Sequence, residues 1–78
     1  MNKAPKPAHL CKYDGRTNTL VEERDLTIGR SDFLNSIRTL WPVFSMETKE
    51  PGVLTVQVWS RPGRIIEKPA YTFVITEQ

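Results

Sequence analysis

Residues 31–41 read Ser-Asp-Phe-Leu-Asn-Ser-Ile-Arg-Thr-Leu-Trp. Phe33, Leu34, Ile37, Leu40 and Trp41 stand at i, i+1, i+4, i+7 and i+8, one apolar stripe at the 3.6-residue period. The spacing predicts a helix from about Ser31 to Trp41. Ser31 is a good N-cap, Asp32 suits the first turn, and Arg38 suits the C-terminal half against the helix dipole. Pro42 disfavours helical backbone at Trp41 and ends the run. A helix this short is marginal alone in water, so its stripe must pack on something.

That something is a sheet. Upstream, His9-Leu-Cys-Lys-Tyr-Asp14 alternates, with His9, Cys11 and Tyr13 on one face and Leu10 and Lys12 on the other. Residues 14–18, Asp-Gly-Arg-Thr-Asn, are dense in turn formers: Asp14 can accept backbone amides two residues on, and Gly15 and Asn18 tolerate positive φ. The next run, 19–28, puts Leu20, Leu26 and Ile28 in one parity. Glu22 and Arg24 share that parity, so either its middle is not core or a bulge shifts the register.

Downstream, residues 43–49 alternate and end in Glu50-Pro51-Gly52, a turn signal. The strand that follows puts Leu54, Val56 and Val58 on one face, and Val53, Thr55, Gln57 and Trp59 on the other. Arg61-Pro-Gly-Arg64 reads as a type II turn, Pro69 suits a strand start, and Tyr71, Phe73 and Ile75 share a face of the last strand. Phe33, Ile37 and Leu40 are expected against Leu54, Val56, Val58, Phe73 and Ile75.

The predicted order is ββαβββ: a two-layer α+β domain over 9–78, with a mostly antiparallel sheet of four or five strands and a single helix on one face. The same opening order resembles β-grasp domains, which are the alternative arrangement. Residues 1–8, with Pro5 and Pro7, read as a flexible arm.

The 78 residues, with 38% hydrophobic and 26% charged side chains, exclude a multidomain enzyme and a disordered polyelectrolyte. A single cysteine excludes an intrachain disulfide framework. No run approaches the roughly 18 apolar residues of a membrane span, and the arm has no apolar signal core, so the expected address is cytoplasmic. The net charge of +2 is carried by Lys3 and Lys6 of the arm, which leaves 9 basic and 9 acidic residues in 9–78. A neutral body binds phosphate strongly only if its charges segregate to one face.

Catalytic chemistry is sparse. His9 and Cys11 could face the same way as a Cys–His nucleophile, but the flanking sequence offers no evident orienter or oxyanion loop. The expected state is a small buried thiol beside an edge histidine. The pair is too few ligands for a metal, and no cofactor is expected. Glu22 and Glu23 are adjacent and point to opposite faces of a strand, so they cannot act as a carboxylate pair. Phosphate-loop, dinucleotide and nucleophile-elbow patterns are absent. Gly29 reads as a strand-to-helix connector.

The informative residue is Trp59, which alternation places opposite the helix-facing side chains, with Gln57. Trp and Arg are enriched in binding hot spots. Trp59, Arg61, Arg64, Gln57 and Arg24 are therefore the predicted partner-binding residues. The expected function is non-catalytic: a protein-binding module that acts sterically as an inhibitor or adaptor. Its size and style resemble those of phage-encoded inhibitors of host systems. The alternative is a small nucleic-acid-binding module using sheet aromatics and turn arginines.

Overall fold

A computed structural model describes residues 8–61 and 67–77. The elements are β1 (Ala8–Asp14), β2 (Leu20–Asp25), α1 (Arg30–Leu40), β3 (Val43–Glu50), β4 (Val53–Trp59) and β5 (Tyr71–Glu77). The five strands form one sheet in the order β2-β1-β5-β4-β3, and every neighbouring pair is antiparallel. The two-layer antiparallel α+β architecture holds. β2 and β3 are the two sheet edges, so α1, which links them in sequence, must carry the chain from one edge to the other. That crossover lays the helix over one face and leaves the other without a covering helix.

The helix begins one residue earlier than expected and is capped differently. Gly29 is the N-cap, with φ −68° and ψ 160°, and no side chain caps the first amides. Ser31 lies inside the first turn. Trp41 leaves the helix in an extended conformation, as Pro42 requires, and its N–H still reaches the carbonyl of Ile37 at 2.9 Å.

Phe33 and Ile37 are buried in one core with Leu10, Val56, Val58, Phe73 and Ile75. The Phe33 and Phe73 rings meet edge to face, with centroids 5.8 Å apart. Leu54 is only half-buried. Leu40 is 75% exposed, against expectation. It overhangs a groove of about 230 Å³ between helix and sheet, where Lys12, Glu22 and Arg24 contribute to the lining beneath it. Leu10 and Phe73 also line that groove, but Leu40 does not fill it, and the contact at this end of the helix is made by Trp41, whose ring packs on Tyr71 at 5.6 Å.

The turns follow their side-chain chemistry. Asp14 Oδ1 accepts the N–H of Arg16 at 2.8 Å and of Thr17 at 3.3 Å. Asn18 takes the left-handed conformation, with φ 61°. Gly15 does not; it is needed for close approach, because an added Cβ would stand 2.0 Å from the carbonyl oxygen of Pro69. Gly52 has φ 80° after Pro51, as its turn demands. Ala8, placed in the arm by sequence, is buried and starts β1 opposite Glu77. The rest of the arm and the Arg61–Arg64 turn beyond Arg61 lie outside the described residues.

Candidate functional site

Strand register assigns every ladder residue to a face. Leu10 pairs with Arg24 and Ile75, and Lys12 with Glu22 and Phe73, so these stand on the helix side. The open face carries His9, Cys11 and Tyr13 from β1, Thr72, Val74 and Thr76 from β5, and Val53, Thr55, Gln57 and Trp59 from β4.

The predicted patch separates on this framework. Gln57 sits at the centre of the β3–β5 part of the open face, paired with Ser45 on one side and Thr72 on the other. Arg24 stands on the helix side of the edge strand β2, with β1 and β5 between it and β4. It therefore cannot join Gln57 or Trp59 in one patch, and its guanidinium instead bonds Glu22 at 2.7 Å. Trp59 is on the open face as expected but is only 6% exposed. Its indole N–H donates to the carbonyl of Glu67 at 2.9 Å. Exposure as a contact anchor is thus corrected: the ring is a packing element. Arg61 is exposed just past the end of β4 and lines a small polar pocket with Arg16, Trp59 and Lys68. Arg64 lies outside the described residues.

What remains on the open face is notable for its lack of charge. Ser45, Thr55, Gln57, Thr72, Val74 and Thr76 are all half-buried, and none is ionisable. Among the described residues no Lys or Arg occupies a regular ladder position there, Lys49 standing at the irregularity of β3. The acids Glu47 and Glu50 stand on β3 at one edge, and Glu23 and Asp25 on β2 at the other. The sheet aromatics Tyr71 and Phe73 face the helix.

The His9–Cys11 pair does share a face, and sequence reading missed what joins it. Cys11 stands opposite Glu23, and His9 opposite Asp25. His9 Nε2 lies 2.6 Å from Glu23 Oε2, and Nδ1 lies 2.9 Å from Asp25 Oδ1. These hydrogen bonds, Asp25 first and then Glu23, raise the imidazole pKa above its ordinary value. Partial burial, with a smaller contribution from Glu23, pushes the Cys11 thiol up, against a weaker opposing hydrogen bond with Tyr13. Both ring nitrogens of His9 thus point at carboxylates and not at the sulfur. A Cys–His nucleophile needs the reverse: a base aimed at a thiol whose pKa is lowered.

Register explains why this cluster was hidden. At the turn, Asp14 N–H bonds the Thr19 carbonyl and Tyr13 pairs with Leu20. Continued unbroken, that register would set Cys11 against Glu22 and His9 against Arg24. A bulge shifts the ladder between Lys12 and Tyr13, so Glu23 and Asp25 arrive instead. The alternation of Glu22, Glu23, Arg24 and Asp25 carried the signal, but only the position of the bulge decides which pair faces His9.

Comparison of the chain with models of known families, with curated proteins and with solved structures gives no match.

Proposed function

We propose that this chain is a non-catalytic, cytoplasmic protein-binding module that docks through the open face of β3, β4 and β5 and acts by occupying a partner's surface, as a steric inhibitor or adaptor. The observation that carries the reading is the uncharged centre of that face, Ser45, Thr55, Gln57, Thr72, Val74 and Thr76. Solvated sheet faces are ordinarily polar, and this one is polar without charge at its centre, as the centres of protein interfaces are. The β-branched Thr55, Thr72, Val74 and Thr76 offer shape at low entropic cost, because Val and Thr are already stiff at χ1. The acids at the β2 and β3 edges form a polar rim, with Arg61, Arg16 and Lys68 at one end.

The nucleic-acid alternative finds less support. A stacking platform needs exposed aromatics among cations, yet Tyr71 and Phe73 lie under the helix, Trp59 is buried, and Tyr13 on the open face is half-buried.

The test compares partners captured from the source cell by wild type, Val74→Lys and Asn35→Arg, with nuclease treatment. A lysine at 74 can extend its charge to solvent without unfolding the sheet. The reading requires a protein captured by wild type and by Asn35→Arg, on the exposed side of the helix, and lost with Val74→Lys. Capture that vanishes on nuclease treatment, or that survives Val74→Lys unchanged, contradicts it.

A further inference from the structure

We propose that His9, Cys11 and Glu23 form a binding site for a zinc-class divalent cation on the open face of the β1–β2 hairpin, with Asp25 as the residue that positions the imidazole. The inference rests on residues outside the proposed docking centre and is tested separately from it.

The donor set points to the ion. One imidazole nitrogen, one thiolate sulfur and one carboxylate oxygen form a mixed, borderline-soft set that suits Zn²⁺ and not Mg²⁺ or Ca²⁺, which take oxygen ligands. One ligand atom from each of the three side chains lies within 4.8 Å of the others. Bond lengths of tetrahedral zinc place its ligand atoms about 3.3–3.6 Å apart. The 2.6 Å contact of Nε2 with Glu23 therefore opens slightly, and the wider separations close by roughly 1 Å. Rotation of surface side chains supplies both movements, since Cys11 and His9 are half-buried and Glu23 is exposed.

Asp25 gives the arrangement its direction. A metal-bound histidine typically donates its other ring N–H to a carboxylate, which fixes the tautomer. Asp25 takes that place on Nδ1 at 2.9 Å, so Nε2 faces Glu23 and, once it gives up its proton, presents its lone pair there. The cation replaces the proton held between Nε2 and Glu23, and the Cys11 thiol releases its proton to solvent. The bound ion then offsets two carboxylates and a thiolate gathered on one strand pair. Three protein ligands on an uncovered face leave a fourth tetrahedral position for water, the arrangement of an open and not a closed structural zinc site.

Cobalt(II) titration of the intact, reduced chain tests this, because Co²⁺ reports its ligands optically. Wild type should bind one ion saturably, with a thiolate-to-cobalt charge-transfer band and tetrahedral ligand-field bands, and Zn²⁺ should displace it. Cys11→Ser should lose the charge-transfer band, and His9→Gln should lose saturable binding. Asp25→Asn should keep the band but weaken affinity about 10- to 100-fold. Glu22→Gln, on the other face of β2, should match wild type. Circular dichroism establishes that each variant is folded. Absence of a charge-transfer band in wild type, or equal affinity in wild type, Cys11→Ser and His9→Gln, would overturn the proposal and leave an imidazolium held between two surface carboxylates.

Discussion

Trp59 shows how one ring can change its role through a single carbonyl. Its indole N–H reaches Glu67 O, and the ring is buried. Truncation therefore removes packing before it removes any contact with a partner. Trp59→Ala is expected to lower stability by about 3–5 kcal/mol, a large part of the ~5–15 kcal/mol that holds such domains. Urea unfolding measures this directly. A mutant with wild-type stability would show that the ring is a surface anchor after all. Arg61 differs: it is exposed at the rim, and its substitution should leave the unfolding midpoint within about 0.5 kcal/mol of wild type.

Within the helix, two residues three apart should behave in opposite ways. Ile37 is buried in the core, and Ile37→Ala is expected to cost about 2–5 kcal/mol. Leu40 is three-quarters exposed, and Leu40→Ala should cost no more than about 0.5 kcal/mol. Equal losses in thermal or urea melts would contradict the burial of Ile37 and the exposure of Leu40. This pair marks the limit of periodicity. The 3.6-residue spacing locates a helix face to within a turn, but what lies beneath it depends on the lateral order of the strands. Lys12, Glu22 and Arg24, polar residues of β1 and β2, share the groove at Leu40 with Leu10 and Phe73, because β5 is inserted between β1 and β4. No local pattern encodes that insertion. Alternation did place β1, β4 and β5, and Asp14, Asn18 and Gly52 announced their turns through side-chain and φ preferences. The His9 cluster was legible only as two residues of four. Its carboxylates come from a neighbouring strand whose register turns on one bulge.

Over the whole molecule, charge is arranged and not merely balanced. Acids mark the β2 and β3 edges of the open face, Arg16, Arg61 and Lys68 gather at one end, and the centre carries none. No helix among the described residues is long and apolar enough to cross a membrane. A sheet with a helix on one side only keeps its second face available, and at this size the unfolded chain buries only about 60% of its surface on folding. The open face is where further burial, by association, is most accessible. The metal site, if loaded, would add a fixed cation on β1 and β2, beside Val74 and Thr76, the cross-strand partners of Cys11 and His9.

The most direct measurement places a photo-crosslinking benzophenone side chain at Val74, at the centre of the open face, and in a second variant at Asn35, on the exposed side of α1, and irradiates the source cells. The docking account predicts a discrete protein adduct from position 74 and none from position 35. An adduct from position 35 alone, or a nucleic-acid adduct from position 74, would contradict it.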